Sequence, residues 1–346
     1  MSANIPDPNQ LPEPLPPAAD RAIDAVVLTG PPAGDAEQEA KEAEAAKADA
    51  GDTRHADRGT SLWGEAFQRM RRSPMAIVGA IIIALFIVVA LLAPWIAPYG
   101  GEATPGRKLV TPTDIPGIGT PGYPLGLDNF GGDVLSKLIW GARSSLLVGV
   151  ISTCIGLLGG MLLGALAGGF GGWVDTVIMR VVDILLSVPN LLMAVSIAAI
   201  AGQTPFAIMI AIGAAQIPVF ARLLRSSMLQ QRGADYVLAA QTLGLSRSKI
   251  TMSHLLPNAT GPVIVQATLA LATAVIDAAA LSFLGLGGGV PQTAEWGRML
   301  TVAQNFLSSA PQLAFLPGLC IAITALGFTL LGESLRESLD PKARKR

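Results

Sequence analysis

The chain has 346 residues, 51% of them hydrophobic, 14% charged and 5% aromatic, with a mean hydropathy of +0.51. Soluble globular domains carry about 25% charged residues, so this composition excludes a water-soluble protein and marks an integral membrane protein. Cys154 and Cys320 lie in apolar runs and neither His55 nor His254 has a metal-ligand neighbour, which excludes a disulfide framework and a Cys- or His-based metal site.

The net charge of -1 hides an uneven distribution. Residues 1–60 hold 12 Asp and Glu against 5 Lys and Arg, whereas the rest of the chain is basic. This first segment is rich in proline, then in Ala, Glu and Lys from Glu37 to Ala50. Low hydrophobicity with net charge predicts a disordered acidic tail. A short helix over Asp35–Asp49 would have no apolar face to dock. The first thirty residues lack the basic start and apolar core of a signal peptide.

From Met75 the pattern changes. Met75–Ile96 is uncharged and long enough to cross a ~30 Å hydrocarbon layer. Ser144–Val174 is a second uncharged stretch, and Ile184–Ala221 a third that Gly202-Gln203-Thr204-Pro205 divides into two. Pro262–Leu286, interrupted by Asp277, and Leu313–Leu331 follow, giving six predicted spans. Asp175, Arg180 and Asp183 stand at the start of the third span, at the membrane interface.

Lys and Arg set the orientation. With six spans, fourteen of the membrane-proximal ones share a side with the tail, the 222–258 loop and the C-terminus, and five lie opposite. Both termini are therefore expected in the cytoplasm. The outer face then carries a long loop, Ala97 to Arg143, and a shorter one, Gly287 to Gln312. In the second span Ser152, Gly156, Gly160, Gly164 and Gly168 recur every four residues. Such a stripe forms a groove into which another helix packs closely, within this subunit or from a second membrane subunit.

Several chemistries are excluded. The chain has no Gly-x-x-x-x-Gly-Lys-[Ser/Thr] phosphate loop. Gly117-Ile118-Gly119-Thr120-Pro121-Gly122 fits a dinucleotide pattern but lies in a Pro-rich outer loop without a preceding strand. No Ser/His/Asp or Cys/His set is available. A proton-coupled carrier needs buried ionisable groups, and only Asp277 sits well inside a span. Neither the internal repeat of a secondary transporter nor the selectivity element of a channel subunit is apparent. The driving energy is expected from another polypeptide.

The cytoplasmic segment Asp235-Tyr236-Val237-Leu238-Ala239-Ala240-Gln241-Thr242-Leu243-Gly244-Leu245-Ser246 carries the most information. A short helix from Tyr236 to Leu243 closes at Gly244, which suits a helix C-terminus. A second helix starts at Ser246 and is expected to end before Pro257. Tyr236, Val237, Ala239, Ala240 and Leu243 are expected to form a small, apolar contact surface. This helix–Gly–helix unit, ending in His254-Leu255-Leu256-Pro257-Asn258, resembles the Glu-Ala-Ala loop of binding-protein-dependent ABC importer permeases. Leu238 stands where that family usually has Glu, and His254 where many members have Ile. From about Phe67 to Lys342 the chain is similar to the dipeptide/oligopeptide permease subunit of the DppC/OppC type. Met70-Arg71-Arg72-Ser73-Pro74, Trp140-Gly141-Ala142-Arg143-Ser144-Ser145-Leu146, Glu295-Trp296-Gly297 and Leu335-Arg336-Glu337-Ser338-Leu339-Asp340-Pro341 carry the likeness. In Gly131-Gly132-Asp133, Gly132 replaces the family's usual Arg.

The resemblance implies an all-α membrane fold of the type I ABC importer permease kind, with six transmembrane helices and a disordered N-terminal tail. Its expected organisation is a tail over 1–60, an N-terminal segment with the first span over 61–100 and an outer loop over 101–143. A five-helix core over 144–335 follows, with the coupling loop at 234–258, then a basic C-terminus over 336–346. It further implies a multi-pass subunit of a bacterial inner membrane with no catalytic residue, metal or cofactor of its own. ATP and Mg would be bound by two partner ATPase subunits or a fused pair. A second homologous permease subunit, an extracytoplasmic solute-binding protein and membrane lipid complete the expected partners, with no nucleic acid. Asp235, Tyr236, Ala239, Ala240, Gly244 and Pro257 are the expected ATPase-coupling residues, and Asp277 a candidate for the translocation path. The expected solute is a di- or oligopeptide.

Overall fold

The computed structural model describes residues 62–100, 115–288 and 293–339. The predicted tail over 1–60, residues 101–114 of the outer loop and the basic end from 340 lie outside the described residues. Within them the fold is a bundle of helices. After α1 (Leu62–Met70) the chain turns at Arg71 and Arg72 into α2 (Pro74–Ile96). Ser73 caps α2 by accepting the Ala76 N–H at 3.4 Å, and Pro74 occupies the first turn, where a missing N–H costs nothing. The buried residues of α2 (Ala76, Gly79, Ile83, Ala90, Ala93) form a narrow stripe. A Cβ at Gly79 would lie 2.9 Å from the Gly327 carbonyl of α11 (Gln312–Leu339), so the two helices meet closely there.

Helix α3 (Val134–Phe170) is 37 residues long and starts ten residues before the predicted span. Asp133 is its N-cap, accepting the Ser136 N–H at 2.8 Å. The early turns hold Lys137 and Arg143, which hid them from a search for uncharged runs. Lys137 is buried and its ammonium is paired with Asp128. A Cβ at Gly132 would come within 2.9 Å of Lys137 Nζ, so the lysine occupies space beside the position where the family's arginine is missing. At 1.5 Å per residue α3 is about 55 Å long, more than a bilayer's apolar thickness.

Gly171 ends α3 at φ +67 and α4 (Gly172–Leu186) begins. The predicted third span is a broken one: Ser187, Val188 and Pro189 separate α4 from α5 (Asn190–Ala201), and the two axes differ by 92°. Helix α6 (Pro205–Gln231) starts from the N-cap Thr204, with Pro205 in its first turn. Then come α7 (Asp235–Thr242), α8 (Arg247–Ile250), a π-helical turn (Thr251–Leu255) and α9 (Leu256–Phe283). The second helix of the cytoplasmic unit therefore does not end before Pro257. It winds through the π turn into the membrane span, with Pro257 at the first turn of α9, where a proline is tolerated. Helix α10 (Trp296–Ala303) and α11 complete the fold, and α11 runs past the predicted boundary at 335. Among the described residues five helices are long and apolar enough to cross a membrane, six if the bent pair counts as one span.

The stripe of small residues in α3 faces α6. A Cβ on Gly156 would lie 2.7 Å from Gln216 Cβ, one on Gly164 2.7 Å from the Ala221 carbonyl, and one on Gly160 would strike Phe220. Ser152, Gly156, Gly160, Gly164 and Gly168 are all buried. The groove is therefore filled within this subunit, by the packing alternative of the two the sequence allowed.

Candidate functional site: the cytoplasmic loop and the outer cavity

Helix α7 has only eight residues, too few to be stable alone. Its inner face holds it: Val237 and Ala240 are buried in one cluster with Phe220, Leu224 and Met228 of α6 and with Ile250 and Leu255. Being three apart, they share a helix face. The expectation that Val237 and Ala240 offer contact surface to a partner is thereby corrected. The outward face carries Asp235, Tyr236, Leu238, Ala239 and Leu243, of which Leu243 is 79% exposed. The Tyr236 hydroxyl is 2.9 Å from Gln231 Oε1 and donates to it.

Gly244 closes α7. Its φ of +73 lies in the left-handed region, and a Cβ there would meet nothing within 4 Å, so backbone shape and not space calls for glycine. The Gly244 N–H donates to the Gln241 carbonyl at 2.9 Å and the Leu245 N–H to the Ala240 carbonyl at 3.2 Å. This Schellman pattern satisfies the helix's last carbonyls. Ser246 then caps α8 through the Lys249 N–H. Pro257 is exposed on the far side of the π turn.

Two further polar features lie away from this loop. Asp277, half-buried on α9 about 30 Å along the helix from Pro257, accepts a 3.2 Å hydrogen bond from Asn190 Nδ2. Asn190 is the first residue of α5, directly after the bend. At the opposite end of the bundle from α7, a cavity of about 390 Å³ is lined by Trp140, Arg143, Ile208, Ser282, Glu295 and Arg298, among others. Glu295 is the N-cap of α10, accepting the Gly297 N–H at 2.9 Å and the Arg298 N–H at 3.2 Å. Burial pushes its carboxyl above the usual range, while the Ser282 hydroxyl, those two N–H groups and the Arg298 charge pull the other way. Trp296 next to it is fully buried, its Nε1–H donating to the Leu138 carbonyl at 3.0 Å and its ring meeting Phe86 edge-on at 5.5 Å.

Comparison with known proteins decides what kind of molecule carries these features. Residues 160–345 match the family described as binding-protein-dependent transport system inner membrane component. Residues 61–108 match the N-terminal TM domain of oligopeptide transport permease C. The dipeptide transport system permease protein DppC of Alkalihalophilus pseudofirmus is 40% identical over 82% of this chain and 91% of that protein. The chain belongs to the binding-protein-dependent ABC permease family. The di/tripeptide transport system permease protein DppC of Pseudomonas aeruginosa is 41% identical over 81% of this chain and 92% of that protein. The glutathione transport system permease protein GsiD of Escherichia coli O6:K15:H31 is 38% identical over 82% and 91%. A chain of the MetNI methionine ABC transporter, solved in inward-facing conformations, superposes with a TM-score of 0.50 at 18% identity, covering 59% of this chain and 96% of that one. At that identity the likeness speaks to the fold alone.

The permease is thus a multi-pass membrane component that performs no catalysis itself. ATP hydrolysis is the work of separate ATPase subunits, with which such a permease acts beside a second permease. Of its expected site residues, the structure brings Asp235, Tyr236, Ala239, Ala240 and Gly244 into one small unit, with Ala240 turned inward. Pro257 is a few turns on, and Asp277 is far from all of them. The outer cavity and the bond to Asn190 were missed. Glu295 and Trp296 stood out only as part of a family match, because glutamate is not among the residues that ordinarily mark a helix N-cap.

Proposed function

We propose that this permease forms half of the path of an ATP-driven importer for di- and oligopeptides in a bacterial inner membrane, with both termini in the cytoplasm. The outward face of α7 carries the proposal. Tyr236, Leu238, Ala239 and Leu243 are exposed apolar or small side chains on a helix whose other face is fixed to the bundle. A groove on an ATPase subunit would cover them, with Asp235 at the helix start, Gly244 setting the turn that follows and Pro257 the start of the span. Ala240 acts from the inside, keeping α7 close to α6. Two such ATPase subunits, or a fused pair, would bind ATP and Mg and close on each other, and α7 would carry that movement to the membrane helices. A second homologous permease would supply the other half of the path. A solute-binding protein outside would deliver the peptide to the outer loops, and lipid would surround the pair. The first named relatives favour peptides as the solute. Asp277, polar in a span and beside a bend, is the candidate to meet the peptide's amino group.

Reconstitution tests it. Proteoliposomes holding both permeases and the ATPase subunits should take up labelled dipeptide only with ATP and loaded binding protein. Uptake by this chain without the ATPase would instead make it a secondary transporter or a channel subunit. Asp277→Asn should slow uptake of peptides with a free amino group more than that of N-acetylated ones. Equal uptake of both by an intact complex would remove Asp277 from the path. An enzymatic reporter fused after Arg346 should be active in the cytoplasm.

A further inference from the structure

We infer that Arg232 and Arg247 are positioning residues that fasten the α7 unit to the cytoplasmic end of α3, making α3 the rod through which the unit moves the membrane domain. The inference rests on α7 being the ATPase-docking helix. The last four carbonyls of any helix have no partner within it. In α3 the Ala167 carbonyl accepts the Gly171 N–H at 3.1 Å. The other three are taken by guanidinium groups. Arg232 Nη2 donates to the Gly168 carbonyl and, at 3.2 Å, to the Gly169 carbonyl. Arg247 Nη1 donates to the Phe170 carbonyl at 3.3 Å. The two arginines stand on either side of α7 in the chain, Arg232 just before it and Arg247 just after Gly244 and the Ser246 cap. One helix end is therefore held from both flanks of the docking helix, by donors whose positive charge also suits the negative end of the helix dipole.

The fit between the two bodies is close as well as polar. A Cβ at Gly169 would lie 2.8 Å from Thr251 Cγ2 in the π turn, and one at Gly168 3.0 Å from Met228 Sδ of α6. With no side chain at Gly169, Thr251 of the π turn packs directly against the α3 backbone, and the lack of one at Gly168 lets Met228 of α6 do the same beside it. Helix α3 continues unbroken to the outer cavity, where Trp140 and Arg143 line the wall. A push on α7 is thus delivered to a stiff element that reaches the other side of the membrane. Neither arginine belongs to the outward face of α7, so their contribution to transport separates from docking itself.

The test uses the assembled importer carrying Arg232→Gln together with Arg247→Gln. ATPase subunits should co-purify in normal proportion, while peptide uptake and the stimulation of hydrolysis by loaded binding protein fall about tenfold, within the usual range of coupling energies. Electron–electron resonance between nitroxides at Leu162 of α3 and Gln241 of α7, with Cys154 and Cys320 replaced, should give one narrow distance in the parent and a broad distribution in the double variant. Uptake equal to the parent overturns the inference. Loss of the ATPase subunits also overturns it, because the arginines would then shape the docking surface and not transmit from it. Should the double variant fail to fold and insert into the membrane, Arg247→Lys alone decides. It keeps the charge but withdraws the planar donor, and it should lower uptake with insertion and ATPase recovery intact; unchanged uptake counts against the inference. Leu243→Glu is the separate control for docking: if that variant retains its ATPase and full transport, the reading of α7 fails whatever the arginines do.

Discussion

Helices α2 and α6 both cross the membrane, yet they are built for opposite surroundings. Helix α2 is the more apolar, and only 22% of its most apolar window is buried within the chain; for α6 the figure is 67%. Ile81, Leu85, Leu91 and Trp95 of α2 are exposed, whereas Ile212, Phe220, Leu224 and Met228 of α6 are enclosed. Lipid tails are as apolar as leucine, so a strongly apolar helix gains nothing by leaving them. What draws a helix inward is close packing, and that depends on small residues on the facing surface. Helix α6 lies in the glycine groove of α3, while α2 touches the bundle along a stripe one or two residues wide. In this permease hydropathy marks which segments cross the bilayer, and the spacing of small residues marks which of them form the centre.

Substitutions can break that contrast. Gly160→Leu should have the largest effect. Its side chain would strike Phe220 and, at 2.8 Å, the Ile217 carbonyl, and a backbone obstacle cannot rotate away. A cost of more than about 3 kcal/mol is expected, seen as loss of the folded protein after detergent extraction. Phe220→Ala should come next. Because lipid replaces water as the competing solvent, the transfer part of a core deletion is small and the lost packing remains, for about 2 kcal/mol. A thermal shift in detergent would measure it. Leu91→Ala, at a site 67% exposed on α2, should leave the melting temperature unchanged within about 0.5 kcal/mol. If Leu91→Ala proved as costly as Phe220→Ala, α2 would be covered in the assembled importer, and the contrast would belong to the isolated subunit only.

Much of this was readable before the fold was known, and the misses have physical causes. Five apolar runs, the break at Gly202–Pro205, the stripe of small residues and the turn at Gly244 all follow from period and backbone preference. The start of α3 was hidden because Lys137 is charged, and its partner Asp128 is nine residues away on a loop. Val237 and Ala240 lie three apart and so share a face, but a helix of eight residues shows too few turns for periodicity to say which face turns inward. The bend before Asn190 had Pro189 as a visible mark, yet hydropathy over Ile184–Ala201 is continuous and conceals it. The arginines of the cytoplasmic side were legible as a count that orients the chain. That Arg225 would hold Asp175 through two bonds of 2.9 and 2.6 Å, or Arg222 pair with Asp183, was not, since each pair joins residues about forty to fifty positions apart.

The π turn at Thr251–Leu255 gives the loop a fixed phase. A π turn holds one residue more than an α turn, and each residue of an α-helix advances the chain by about 100° around its axis. The wider turn absorbs that surplus residue, so Gly244 and α7 leave the axis of α9 at nearly the angle they would have with one residue fewer in a regular α-helix. Rewinding Thr251–Leu255 as regular α-helix with no residue removed would turn the whole α7 unit by about a quarter-turn around that axis, away from the end of α3. In this stretch winding matters more than length: a one-residue deletion that lets the helix run straight leaves the α7 unit facing as before, whereas loss of the π turn at constant length turns it away.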